Sequence, residues 1–107
     1  MDAPAAEPAR LLNLLTYQKG AVVSRTLLKR GGGTVTLFAF DQGQGLSEHT
    51  SPFDAVVHVL DGEAEVVIAG TTHQLSVGEL IVMPAHQPHS LNARSPFKML
   101  LTMIRPV

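Results

Sequence analysis

From residue 21 onward, glycine and proline divide the chain into short runs rich in Val, Ile, Thr and Leu, and none is long enough for a helix of ordinary length. The runs lie near 21–29, 34–41, 55–61, 63–69, 72–76, 80–83, 88–93 and 97–104. Runs of this length and residue type form strands, so about eight are predicted. Asp61-Gly62 and Ala69-Gly70 are compact turn pairs of the kind that join antiparallel neighbours. An all-β sandwich or barrel follows. Leu11 to Tyr17 is apolar and short, and one helical turn and a strand lead-in both remain open there.

The first ten residues, MDAPAAEPAR, read as a flexible tail, residues 1–10, ahead of a single domain at 11–107. A chain of 107 residues holds one core. At this size about two-thirds of the unfolded surface is buried, so association with a second copy would add stability. The strand patterns point the same way. In 55–61 one face carries Ala55, Val57 and Val59, and the other carries Val56, His58 and Leu60. In 97–104 the two faces carry Phe97, Met99, Leu101 and Met103 against Leu100 and Ile104. One face lines the core and the other needs cover, so a homodimer is expected.

Eight Lys and Arg against nine Asp and Glu give a net charge of −1, which supplies no basic field for nucleic acid or an anionic membrane. There is no cysteine, which excludes disulfides, thiolate chemistry and cysteine-held metals and leaves His, Asp and Glu as ligands. No apolar run approaches the roughly 20 residues of a membrane span. Met1-Asp-Ala-Pro is acidic and precedes no signal-peptide core, so the cytoplasm is the expected compartment.

Two glycine-anchored stretches each deliver one histidine. Gly43 is followed after five residues by His49, with Gly62 thirteen positions beyond; Gly78 is followed after five residues by Pro84, and then by His89. Histidines at two strand entries, distant in sequence, are how an antiparallel barrel gathers imidazoles at its mouth.

These stretches resemble the two signatures of the cupin superfamily, G-x5-H-x-H-x3,4-E-x6-G and G-x5-P-x-G-x2-H-x3-N. Here they run Gly43-QGLSE-His49-Thr50-Ser51-PFD-Ala55-VVHVLD-Gly62 and Gly78-ELIVM-Pro84-Ala85-His86-QP-His89-SLN-Ala93, covering 43–93 with every spacing met. The resemblance implies a double-stranded β-helix, or jelly-roll, barrel that is usually dimeric, with a site inside it. It also implies four metal ligands, of which only His49 and His89 are present. Ser51 replaces the second histidine and Ala55 the glutamate.

A metal at His49 and His89 therefore needs substitutes, since three or four protein ligands are usual. Two stand nearby. His86 occupies the turn position where the family has glycine, and Asp54 precedes the missing glutamate by one residue, a step that reverses strand face unless a bulge or turn intervenes. One reading is a single divalent ion, zinc, iron, manganese, nickel or copper, held by His49 and His89 with His86 or Asp54. The other is a metal-free pair bonded to one another, to Ser51 or to water.

His58 has the opposite parity to Ala55 and is expected outside the lumen; His73 is expected in solvent, and Glu48 on the face opposite His49. Ser51, Val57, Met83, Phe97 and Leu101 are the expected pocket wall. Met83, Met99 and Met103 read as core filling. Gly31-Gly32-Gly33 lacks the Lys-Ser/Thr of a phosphate loop, and Ser51 lacks a nucleophile elbow. Function then divides between a small-molecule-binding barrel, a metal-dependent enzyme of oxygenase, isomerase or decarboxylase type, and a dimeric scaffold with a vestigial site.

Overall fold

The structure is a computed structural model that describes residues 6–106. Residues 1–5 of the expected tail lie outside the described residues, and 6–10 are exposed and in no regular element. Leu11–Asn13 forms a single 3₁₀ turn, resolving the ambiguity of that segment. Nine strands follow: β1 Val22–Arg30, β2 Gly33–Phe40, β3 Gly45–His49, β4 Asp54–Asp61, β5 Glu63–Ile68, β6 Thr71–Ser76, β7 Leu80–Met83, β8 His89–Asn92 and β9 Phe97–Ile104.

The strand the sequence reading missed is β3. Its residues, Gly-Leu-Ser-Glu-His, include no β-branched side chain, and it lies at a sheet edge, where one neighbour is enough to hold it. The strands form two antiparallel sheets, β1-β2-β9-β4-β7 and β3-β8-β5-β6, packed face to face as a jelly roll.

Between the sheets lies one apolar core. Phe40 and Phe97 are fully buried and stacked, with centroids 4.4 Å apart and planes 10° from parallel. Val57, Val59, Ala64, Val66, Leu91 and Met99 pack with them. On β4 the alternation holds as expected, Ala55, Val57 and Val59 facing in and Val56, His58 and Leu60 facing out.

The outer face of the five-stranded sheet is partly covered by the segment before β1. Lys98, on β9, is buried there, and its ammonium donates to the carbonyls of Leu12 at 2.9 Å and Leu15 at 2.7 Å and lies 5.1 Å from the Tyr17 ring centroid. Tyr17 donates its hydroxyl to Asp61 at 2.5 Å. Its pKa is pushed well up, by burial first and then by the hydrogen bond and charge of Asp61. Register alone gave no sign of this strap, because Lys98 in a strand reads as a solvated side chain.

Gly62 joins β4 to β5 with φ +70°, and a Cβ there would overlap the Pro96 carbonyl oxygen. Both the conformation and the space require glycine. Gly62→Ala is therefore expected to lower stability by about 2–4 kcal/mol, read as a lower urea midpoint at unchanged slope.

Candidate functional site

The site is made where β3 meets β8. The ladder pairs Gly45 with Asn92 and Leu46 with Leu91, then shifts by one residue and pairs His49 with His89. Leu46 and His49 are three positions apart, so strict alternation would send them to opposite faces. The extra residue on β3 is a bulge, and it returns His49 to the inner face beside Leu46.

The two imidazoles meet edge to face, with centroids 4.4 Å apart and planes at 69°. Their Nε2 atoms are 3.2 Å apart. His89 is buried and His49 exposed, so the pair runs from the barrel interior to its mouth. Each Nδ1 is 2.7 Å or 3.1 Å from a backbone carbonyl oxygen, that of Ser47 for His49 and that of Gln87 for His89. A carbonyl only accepts, so both Nδ1 atoms carry the proton and donate it. In two neutral rings neither Nε2 then carries a proton, although the two atoms lie at hydrogen-bond distance, which calls for a proton or another cation at the pair.

Behind the pair lies a cavity of about 40 Å³, lined by Ser51, Met83, Leu101 and Met103, with Leu46, Ala55 and Leu91 completing the apolar wall. Room of that size suits a single water, whose share of liquid volume is about 30 Å³. Ala55 stands where the family's glutamate would be and offers no donor atom. Leu91 follows from the alternation of β8, whereas Leu46 could only be placed through the bulge.

Other expected site residues lie elsewhere. Val57 and Phe97 face inward but are fully buried in the closed core. Alternation gives a residue's face and not whether its neighbours close over it. Asp54 faces away from Ala55, and its Oδ1 accepts the Ala85 N–H at 2.8 Å. His86 is exposed at φ +66°, gives its N–H to the Ser51 carbonyl at 2.8 Å, and turns its side chain toward a separate pocket. Among the described residues, no group of three or more His, Asp or Glu is positioned to hold a metal. His58 lies on the outer face opposite Leu80 and Leu100, as parity predicts. His73 is half-buried rather than solvated, because on β6 it stands opposite the fully buried Val66.

An antiparallel jelly roll with paired histidines at its mouth defines a small β-barrel protein of the double-stranded β-helix class. A cupin domain family model matches residues 36–104, well over half the chain. The chain belongs to the cupin family. A conserved protein of unknown function from Streptococcus pyogenes is 36% identical over 100% of this chain and 94% of its own, with a TM-score of 0.94. A cupin superfamily protein from Desulfitobacterium hafniense is 25% identical over 99% and 97%, TM-score 0.91. A cupin 2 conserved barrel domain protein from Leptotrichia buccalis is 35% identical over 88% of this chain and 46% of its own, TM-score 0.85. No curated protein matches the sequence. No described helix is long and apolar enough to cross a membrane.

Burial pushes the His89 imidazole below its ordinary value, and the neighbouring His49 charge acts in the same direction, against the raising effect of the Gln87 carbonyl. A lowered native value means that the unfolded chain takes up the proton first as pH falls. The stability held by neutral His89 is thus complete above about pH 6.5 and is lost as pH falls through the lowered value. In metal-free protein, the stability advantage of wild type over His89→Gln is expected to shrink between pH 7.5 and 5. An advantage constant across that range, measured by urea unfolding, would contradict the assignment.

Proposed function

We propose that this cupin barrel binds a small molecule through a mononuclear centre in which His49 and His89 hold one divalent ion. The observation that carries the reading is the placing of the two rings, each Nδ1 within hydrogen-bond distance of a backbone carbonyl oxygen and the two Nε2 atoms 3.2 Å apart. With both Nδ1 protons committed to carbonyls, the two Nε2 lone pairs repel unless a cation lies between them. A proton or a metal ion meets that need, and the lowered proton affinity of His89 reduces competition from the proton near neutral pH.

The donor set fits an ion at two points. Two zinc–nitrogen bonds of about 2.0–2.1 Å at a tetrahedral angle set their nitrogens about 3.3 Å apart, close to the 3.2 Å between the Nε2 atoms. Backbone carbonyls orienting both rings supply the outer support that ligating histidines ordinarily have. Imidazole donors suit zinc, copper, iron and nickel better than manganese. With no third side chain assembled among the described residues, water and an organic oxygen ligand would complete the coordination. Bound there, the ion would polarise that ligand's oxygen. Because the cavity is about 40 Å³, the organic ligand would lie over the mouth, on the exposed side of His49.

Elemental analysis of untagged protein, before and after loading with each ion, tests this directly. Near-stoichiometric metal is expected in wild type and in His58→Ala, and its loss in His49→Ala and in His89→Ala, with all variants folded. Equal metal content in the four proteins would remove the centre.

The uncovered part of the five-stranded sheet supports a homodimer. Leu28, Val35, Thr102, Val56 and Val82 stand in one row across its five strands, and Arg25, Leu37, Leu100, His58 and Leu80 in the next. Leu28, Leu80, Val82 and Ile104 are 45–60% exposed. The Lys98 strap covers the row at one end and reaches the next, where Leu37 is fully buried and Arg25 donates to the Leu14 carbonyl, and a twin of the same sheet would cover the remainder by two-fold pairing. Light scattering is expected to give twice 11.4 kDa, and Leu80→Glu with Val82→Lys to give a folded monomer.

A further inference from the structure

The turn from Pro84 to Pro88 borders a pocket that the histidine pair does not use. This pocket, of about 340 Å³, is lined by Pro52, Phe53, His86, Arg105 and Pro106. Small-ligand sites begin at roughly 300 Å³, so an organic molecule fits here where the inner cavity admits only a water-sized guest. Its lining divides by chemistry. Pro52, Phe53 and Pro106 are flat apolar walls, and Arg105 and His86 are nitrogen donors.

Both donors are held. The Arg105 guanidinium carbon lies 5.7 Å from the Phe53 ring centroid, within cation–π range, and the Arg105 backbone N–H donates to the Gly32 carbonyl at 2.8 Å. The His86 turn is braced on two sides, by its own N–H to the Ser51 carbonyl and by Ala85 N–H to Asp54 Oδ1, both at 2.8 Å. His86 itself sits at φ +66°, which glycine adopts freely and histidine rarely. An imidazole thus occupies a backbone position suited to glycine, with its side chain exposed and bordering the pocket. No carboxylate lines this space, so its charge is that of Arg105, with His86 adding a donor.

We propose that this pocket binds a small organic carboxylate with a flat apolar body. Arg105 and His86 donate to the carboxylate, the guanidinium matching its two oxygens, and Phe53 and the two prolines cover the hydrocarbon. Three apolar walls out of five favour an organic acid over inorganic phosphate. Ser51 links this pocket to the histidine pair, because its carbonyl holds His86 while the residue lines the inner cavity. The two sites adjoin, but carboxylate binding does not depend on an ion at His49 and His89.

Benzoate is the probe, titrated into the full chain and followed by NMR signals of Phe53, His86 and Arg105, with benzyl alcohol and phosphate as comparators. Saturable shifts at these residues are expected with benzoate and not with the other two. His86→Gly, which suits the backbone at that position, and Arg105→Gln should each weaken binding about tenfold, while His49→Ala leaves it unchanged. Absence of saturable shifts, equal binding of benzyl alcohol or phosphate, or unchanged affinity in both pocket variants would overturn the proposal. Loss of benzoate binding in His49→Ala would overturn its independence and move the carboxylate to the histidine pair.

Discussion

Antiparallel pairing between β3 and β8 admits one extra residue on β3, and that residue determines which side chains share the mouth of the barrel. Before the bulge, Leu46 faces Leu91 in the core. Without the shift, His49 would point to solvent and His89 would be left buried with no imidazole partner. The constraint is local, but it depends on long-range order, because β8 is held in turn by β5, whose Val66 packs opposite Leu91. The same ladder that builds the core therefore fixes the distance between two nitrogens drawn from residues forty positions apart.

Elsewhere the fold is governed by the accounting of polar groups, and among the described residues no buried side-chain nitrogen or oxygen lacks a hydrogen-bond partner. Two buried charges illustrate how. Lys98 meets the carbonyls of Leu12 and Leu15, turning what would be an unpaired ammonium on a sheet into the anchor of the segment before β1. Glu65, on the outer face of the other sheet, accepts from Arg94 at 2.5 Å, with Gln74 and Asn92 flanking it on neighbouring strands. Each charge is stabilised by groups from other elements; Lys98 ties the segment before β1 to the sheet, which strand pairing alone would not, whereas Glu65 reinforces pairings that β5 already makes with β6 and β8.

The architecture was legible in the sequence because it rests on local signals: β-branched runs, turn glycines, and an alternation on β4 and β9 that separates inward from outward residues correctly. What alternation could not give was a departure from itself. The bulge in β3 follows from the pairing with β8 and leaves no mark on the residues Gly45–His49, which is also why that strand went unpredicted. Depth was equally hidden. Phe97 and Leu101 share the inner face of β9, yet Phe97 lies in the closed core and Leu101, four residues further along the strand, borders the cavity. Lys98 and the strap it holds required contacts across more than eighty residues, beyond any local pattern.

The histidine pair shows why ligand count alone is an incomplete guide to such a site. Four expected ligands reduced to two argue for a weak centre if each donor contributes equally. Orientation changes that reckoning. A ring whose Nδ1–H is committed to a carbonyl presents its Nε2 lone pair without needing to reorganise, and two such rings facing each other are strained in their neutral form by mutual repulsion. A cation between them relieves that repulsion as well as gaining two donors. The apolar wall of Met83, Leu101 and Met103 acts on both sides of that balance: it strengthens the interaction between the two nitrogens, and it makes any positive charge at the pair costly to desolvate, which is what lowers the proton affinity of His89.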